Sequence, residues 1–459
     1  MKKLIYFLLF LLPIIGYTQQ NLLQDSPLEY AWKNVGNAGF SSWEVGYTSL
    51  AFSPSGQPYV AFSDREHAWD ETVMKFDGTN WVIVGIAGFS AGYTNFTSLT
   101  FSPSGQPYVA YQDGVNSGKA TVMKFDGTNW VIVGIAGFSA GYTSYTSLTF
   151  SPSGQPYVAY QDGGNSGKAT VMKFDGANWV YIGTAGFSID NALYTCLAFS
   201  PSGQSYVAYE DWGDSLKATV MKFDGTNWVN VGNAGFSAGR ALFTSLAFSP
   251  SGQPYVAYKD YVNSKKATVM RFNGTDWENV GIAGFSGDNA NSISLVFSPL
   301  GEPYVAYSDG SNSNKATVMK FDGTNWVNVG TAGFSIDGAG DTSLAFSSSG
   351  VPYVAYMDVG NDSKATVMKY DSVYIGINEL KETKLSMYPN PATDKITVET
   401  SQTPIKSQLS IMNVNGQQLI TRHITETKTQ LDISSLPSGV YFVRLTNDRA
   451  VEVGKIVKQ

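Results

Sequence analysis

The chain has 459 residues, of which 14% are aromatic and 15% charged, with 47 glycines and a formal net charge of −7. That length exceeds one ordinary domain, the acidic balance argues against a nucleic-acid partner, and a single cysteine, Cys196, excludes an internal disulfide.

Residues 1–20 read as a secretory signal peptide. Lys2 and Lys3 form the basic start, and the apolar run from Leu4 to Ile15 is too short for a comfortable membrane span. Cleavage is expected between Gly16 and Gln20, and no cysteine follows to carry a lipid anchor. Loss of the two lysines takes the net charge from −7 to −9 and leaves no transmembrane segment.

Residues 32–36, WKNVG, stand alone. From Ser49 onward a 49-residue unit occurs seven times without change of length, opening at Ser49, Ser98, Ser147, Cys196, Ser245, Ser294 and Ser343. A fixed period in this range marks a solenoid, an array or a propeller. In the copy at residues 98–146, four short runs follow one another: SLTFS, PYVAY, ATVMKF and WVIVG. They are rich in Val, Tyr, Phe, Thr and Trp, and too short and β-branched for helices. Pro103-Ser104-Gly105 and Asp126-Gly127 supply turn chemistry between them.

Four antiparallel strands repeated seven times predict an all-β, seven-bladed β-propeller over residues 29–376, with SLTFS innermost and WVIVG outermost. Trp81, Trp130, Trp179, Trp228, Trp277 and Trp326 are expected to pack between blades rather than to bind sugars. Closing the ring would remove exposed strand edges. Residues 32–36 are the expected clasp, with residues 373–376 as the competing one.

After Gly376 the pattern stops. Residues 377–383 read as a linker, and residues 384–459 as a small β-sandwich-like domain with five β runs. This last segment carries Tyr388-Pro389-Asn390-Pro391, an Asn415-Gly416 turn, an L-x-x-G-V-Y-F run through Gly439 and a basic end, GKIVKQ. It resembles the C-terminal sorting domain of the type IX secretion system of Bacteroidota. The resemblance implies passage across both membranes, the type IX machinery as partner, and release or attachment at the cell surface with the tail removed. Tyr388, Pro389, Asn390, Pro391, Gly416 and Gly439 would form the sorting signal. The repeats are similar to tandem propeller repeats of secreted Bacteroidota proteins, which implies no activity. Their likeness to lectins with one sugar site per blade junction is architectural only.

Three features carry candidate chemistry. G-x-S-x-G, the pattern of a hydrolase nucleophile elbow, occurs at residues 88–92, 137–141 and 235–239. That elbow needs a strand-to-helix turn and a histidine base, and the chain has two histidines, His67 and His423. The three serines therefore read as structural. A second feature is the aspartate after each PYVAY-type run: Asp64, Asp113, Asp162, Asp211, Asp260, Asp309 and Asp358. A ring of carboxylates suits Ca²⁺ or sugar hydroxyls. Six of the seven have a lysine six residues later, so an Asp–Lys pair or an Asx turn capping the loop is the favoured reading.

The third feature is variation between copies. The turns SPSGQP and FDGTNW scarcely change, whereas the loop after the aspartate and the inter-blade connection do. Both variable segments leave the same face of a four-stranded blade, so a ligand is expected there. Trp43, Trp69, Trp212, Tyr93, Tyr142 and Tyr261 are the aromatics on that face outside the repeat pattern, suited to stacking on sugars or anchoring a protein.

These readings predict a secreted or cell-surface, non-catalytic binding or adhesion module, multivalent for glycans or surface proteins. One alternative is an extracellular polysaccharide lyase or hydrolase. For that chemistry only the first copy, with His67, Asp64 and Asp70, offers a non-repeated acid–base set. A purely structural adhesin component is the other.

Overall fold

The computed structural model describes residues 29–373, 385–400, 407–414, 417–446 and 451–459. Clustering divides the chain into two compact units, Tyr30–Ser372 and one containing the C-terminal domain from Val373 onward. The expected signal peptide (1–20), the linker (377–383) and Gly416 lie outside the described residues.

The first unit consists of seven four-stranded antiparallel sheets. In blade two the strands are Thr94–Phe101, Pro107–Asp113, Lys119–Phe125 and Trp130–Ile132, from axis to rim. The turn after the inner strand closes through Ser102 and Gln106, with Gly105 at φ +87°. The third and fourth strands are joined by an Asx turn in which Asp126 Oδ1 accepts the amides of Thr128 and Asn129, both at 2.8 Å. Those two backbone bonds hold the Asp126 carboxyl below its usual range. The second strand is buried on nearly every residue, on both sides of the sheet, as its continuous apolar run requires.

Blades hold one another by a repeated set of contacts. One hydrophobic cluster fills each of the seven junctions. Each contains an outer-strand tryptophan whose Nε1–H donates to the last carbonyls of the preceding outer strand, as from Trp130 to Val84 O at 2.8 Å. The phenylalanine of each A-G-F-S connection stacks on that indole; Phe89 and Trp130 lie 4.3 Å apart at 8°. Gly85 sits at φ +77°, and a Cβ there would press on Phe125 and Trp130 at 3.0 and 3.2 Å. Near the axis, each inner-strand serine accepts the leucine amide of the next blade, as from Leu99 N–H to Ser49 Oγ at 3.0 Å. In one place Cys196 Sγ does this for Leu246 at 3.3 Å.

The circle closes with the chain start. Strand Glu29–Asn34 lies outermost in the seventh sheet, beside Lys364–Val373. Val35 N–H donates to Val367 O at 2.8 Å, Trp32 donates to Val329 O at 2.7 Å, and Trp81 donates to Val35 O at 2.6 Å. On the inner side Leu50 N–H reaches Ser343 Oγ at 3.0 Å. Residues 32–36 are thus the clasp. In the competing segment, Val373 ends the third strand, and residues 374–376 lie outside the described residues.

The C-terminal domain is two sheets. One contains Ser386–Tyr388, Lys395–Glu399 and Lys428–Asp432; the other contains Gln418–Ile424, Ser407–Asn413, Gly439–Thr446 and Val451–Lys458. Ile396, Leu409, Ile411, Val443 and Ile456 fill its core. Asn390 pins the Tyr-Pro-Asn-Pro turn to the last strand, donating to Lys455 O and accepting from Val457 N–H, both at 2.9 Å. Among the described residues no helix is long and apolar enough to cross a membrane.

Because each buried indole serves two blades, Trp179→Ala should lower unfolding free energy by about 3–5 kcal/mol in chemical denaturation. Trp32→Ala should weaken the ring as well; a variant melting like the parent would show that closure does not depend on this clasp.

Candidate functional site

The repeated motifs resolve into scaffold. Each of the seven aspartates is no more than 4% exposed. Asp162 Oδ1 accepts the amide of Gly164 at 3.0 Å, and Oδ2 accepts from Asn165 Nδ2 at 2.8 Å and Thr170 Oγ1 at 2.9 Å. Thr170 in turn accepts the amide of Gly186 at 2.8 Å, so the carboxylate ties its own loop to the neighbouring connection. Among the described residues none of the seven makes an ion pair with the lysine six positions on, although Asp162 and Lys168 face each other in register. The capping geometry is what the structure contains.

The G-x-S-x-G serines are likewise spoken for. Ser139 Oγ donates to Gly141 O at 2.7 Å and accepts the amide of Ala120 at 3.0 Å, and it is buried. A hydroxyl held this way has no base beside it and no path to solvent.

The two variable segments meet on one face, as expected. In every blade an amide of the loop after the aspartate donates to a carbonyl of the connection: Arg65 to Glu44, Gly114 to Tyr93, Gly163 to Tyr142, Trp212 to Asn191, Tyr261 to Arg240, Gly310 to Asn289 and Val359 to Gly338. Trp43, Tyr93, Tyr142, Trp212 and Tyr261 are exposed there, and Trp69 is half-buried. The structure brings Trp69 and Tyr93 together. Trp43 and Trp212 form no ring pair among the described residues, Tyr142 covers Gly163, and Tyr261 lies in a different cluster.

Trp69 and Tyr93 line a cleft of about 380 Å³ with Tyr47 and Asn95. Tyr47 belongs to a feature that the strand pattern concealed. Each inner strand carries a bulge with one residue in the left-handed region: Tyr47, Phe96, Tyr145, Tyr194, Phe243, Ser292 and Asp341, all at φ between 48° and 55°. Bulky residues rarely adopt this conformation, and each instance costs of order 1–3 kcal/mol. Five are aromatic, and their rings run in file around the axis at the variable face. Their centroid separations are 5.2 Å for Tyr47–Phe96, 4.9 Å for Phe96–Tyr145, 4.6 Å for Tyr145–Tyr194 and 4.9 Å for Tyr194–Phe243. In sequence these positions belong to the variable connection, whereas the inner strand itself starts before them, as at Val45 and Thr94. The available signal was their replacement by Ser292 and Asp341 in the last two copies.

Blade one departs from the repeat beside this cleft. Glu71 stands where the other six copies have alanine. It is fully buried, and Oε2 accepts from Thr94 Oγ1 at 2.8 Å and Thr97 Oγ1 at 2.9 Å, while Oε1 has no partner. Burial pushes the carboxyl up to about 8 against the pull of the two threonines. Burial also raises Asp70, with His67 opposing and Asp64 adding to the rise. Nearby, Asp64 Oδ2 lies 3.1 Å from His67 Nδ1. Asp64, Glu66 and His67 are the one trio among the described residues whose ligand atoms lie within 4.8 Å of one another. Two carboxylates and an imidazole suit a transition metal better than Ca²⁺.

Residues 386–459 match the secretion system C-terminal sorting domain. The chain is therefore a secreted or cell-surface cargo that engages the type IX machinery. No curated protein matches it in sequence. Among solved structures it is similar to an ulvan lyase of polysaccharide lyase family PL25, with a TM-score of 0.50 and 13% identity over 73% of this chain and 95% of that one. It is also similar to PorZ, an essential surface component of the type IX secretion system of Porphyromonas gingivalis, with a TM-score of 0.47 and 13% identity over 90% of this chain and 59% of that one. The SapL1 lectin in complex with α-methyl fucoside gives a TM-score of 0.44 and 16% identity over 65% and 99%. This chain thus spans 59% of the length of PorZ. At these identities the likeness establishes the fold alone. It corrects one expectation: since a propeller of similar fold is a polysaccharide lyase, the reading of this chain as a non-enzyme does not stand.

Glu71 sets a pH signature for the ring. Its carboxyl is neutral in both states below about pH 4.5. Between there and about 8 the unfolded chain loses the proton while the folded one keeps it, so stability falls over that window. Glu71→Gln, which keeps acceptors for both threonines, should match the parent in melting temperature at pH 4 and exceed it at pH 8.

Proposed function

We propose that this protein is a secreted propeller that recognises a glycan at the variable face, in the cleft of blades one and two and along the aromatic file that continues from it. The observation that carries the reading is the cleft itself. An indole, two phenols and an amide converge on about 380 Å³, within the size range of small-ligand sites, and such rings stack on sugar faces while the amide meets hydroxyls. Strained backbone at Tyr47 and its counterparts supports a functional rather than a structural origin for the file. So does a solved ulvan lyase of similar fold, which handles a polysaccharide.

The site is single. The counterparts of Trp69 in the other blades are Gly118, Gly167, Leu216, Lys265, Asn314 and Ser363, so the seven-fold geometry does not repeat it. The reading thus replaces avidity among equal junctions with one extended groove.

A second reading, cleavage of the bound glycan, is favoured by His67, Asp70 and Glu71, which stand at these positions only in the blade that supplies Trp69. Burial holds Asp70, which unlike Glu71 is partly exposed, above its usual range and so toward the protonated state a general acid needs.

The test is a glycan array probed with the full chain and with Trp69→Ala and Tyr93→Ala. Each substitution removes a stacking platform and should weaken binding about tenfold. Absence of binding to every glycan would sink the proposal, and binding indifferent to both substitutions would move the site elsewhere. Incubation with the best-bound polysaccharide then separates the readings. New reducing ends or unsaturated products, abolished by Asp70→Asn, would establish turnover; intact glycan would leave recognition alone.

A further inference from the structure

The far end of the aromatic file carries a charge arrangement that no other blade has. Around the Tyr261 ring stand Arg240 Cζ at 5.3 Å, Lys265 Nζ at 5.4 Å and Lys259 Nζ at 6.0 Å from the centroid. Lys259 Nζ is also 5.9 Å from the centre of Phe243, the last ring of the file. Three cations therefore converge on one exposed phenol in a chain whose net charge is −7.

The scaffold does not require them. At the position of Lys259 the other blades have Ser63, Gln112, Gln161, Glu210, Ser308 and Met357. At that of Arg240 they have Glu44, Tyr93, Tyr142, Asn191, Asn289 and Gly338, and at that of Lys265 they have Trp69, Gly118, Gly167, Leu216, Asn314 and Ser363. Six blades fold with no cation at any of the three places.

Nor are the charges balanced. Arg240 Nε donates to Glu210 Oε1 at 2.9 Å, and that carboxylate is fully buried. Lys259 is 7% exposed, yet its ammonium meets only a neutral acceptor, Asn291 Oδ1 at 2.6 Å, and neither it nor Lys265 has a carboxylate partner among the described residues. A lysine is seldom buried unless it is paired. Burial lowers Lys259, and Lys265 and Arg240 lower it further, so the three repel one another in the free protein. An anionic group placed over Tyr261 would relieve that repulsion. Lys259, 5.9 Å from Phe243, joins the cluster to the aromatic file, in which Phe243 lies 4.9 Å from Tyr194.

We infer that Arg240, Lys259 and Lys265 around Tyr261 form a subsite for an anionic sugar unit, bearing a carboxylate or a sulfate ester, so that the glycan of the proposed groove is an acidic polysaccharide. The inference rests on the glycan reading and specifies its substrate class. Tyr261 supplies the face on which the ring lies, and the cations supply the donors for its charged oxygens.

The experiment measures affinity of the full chain for a sulfated galactan, for polygalacturonate, for their desulfated and carboxyl-reduced forms, and for a neutral glucan, at low and high salt. The variant is Lys259→Gln with Lys265→Asn, side chains that Gln112 and Asn314 already provide in other blades, so the ring should fold as before. Expected is binding of at least one acidic polymer that falls about tenfold or more in the variant, falls with salt, and is lost on removal of the anionic group. Which chemical treatment abolishes it tells sulfate from carboxylate. Neutral glycans bound as tightly as acidic ones, with the variant unchanged, would overturn the anion subsite while leaving the glycan reading. No binding of any polymer would overturn both.

Discussion

Every blade of this ring depends on hydrogen bonds that its neighbour supplies. The indole N–H of one outer strand needs a carbonyl of the preceding one, and the leucine amide of one inner strand needs the serine hydroxyl behind it. A blade alone would bury these groups without partners, which costs more than the bonds return. The set is complete only when the last blade meets the first. That is why strand Glu29–Asn34 crosses to Lys364–Val373 and why Trp32 repeats at the seam the bond to Val329 seen at the other junctions. With no disulfide, this closure and the seven apolar junctions hold the structure.

A scaffold satisfied so regularly on its rim can tolerate irregularity on one face. The turns on the constant face are closed by serine and glycine in every copy and by an Asx turn in the six copies that carry their own fourth strand. On the variable face the aspartate cap anchors each loop at its base, leaving its outer residues free to differ. Backbone strain collects there too, in the left-handed residues of the inner strands. Trp69 and Glu71 in blade one, and Arg240, Lys259 and Lys265 around blade five, are substitutions on a background that six other copies show to be dispensable for folding. Comparison among blades within one chain thus separates what the fold requires from what it does not.

Much of this could be read from residues alone. The 49-residue period, the turn dipeptides and the tryptophan at the start of each outer run specify blade number, strand order and inter-blade packing. The scarcity of histidine disposed of the G-x-S-x-G serines, and the Asp-to-loop spacing anticipated the caps. The tail was legible from its own landmarks through Tyr388, Asn390 and Gly439. Trp69 and Tyr93, named as candidates from sequence, line one cleft. The reading faltered where function depends on neighbours distant in sequence. Tyr47 and Phe96 fall in the variable connection, just ahead of the runs read from Ser49 and Ser98, because the residues do not reveal that each inner strand starts earlier and bulges into the left-handed region. Glu71 passes for one more surface carboxylate beside Asp70 until its threonine partners, contributed by the next blade, bury it.

The chain's own letters determined the architecture and the destination of this protein, because strand period, turn chemistry and sorting landmarks are local properties carried within a few dozen residues. Which of these residues become neighbours was decided by the closed ring. Tyr47 and Asn95 are 48 residues apart and Trp69 and Tyr93 are 24 apart, and Arg240 reaches Tyr261 and Lys265 from a different segment of chain. Their association is a matter of distance across a junction, and no pattern along a single strand encodes that distance until the blades have packed.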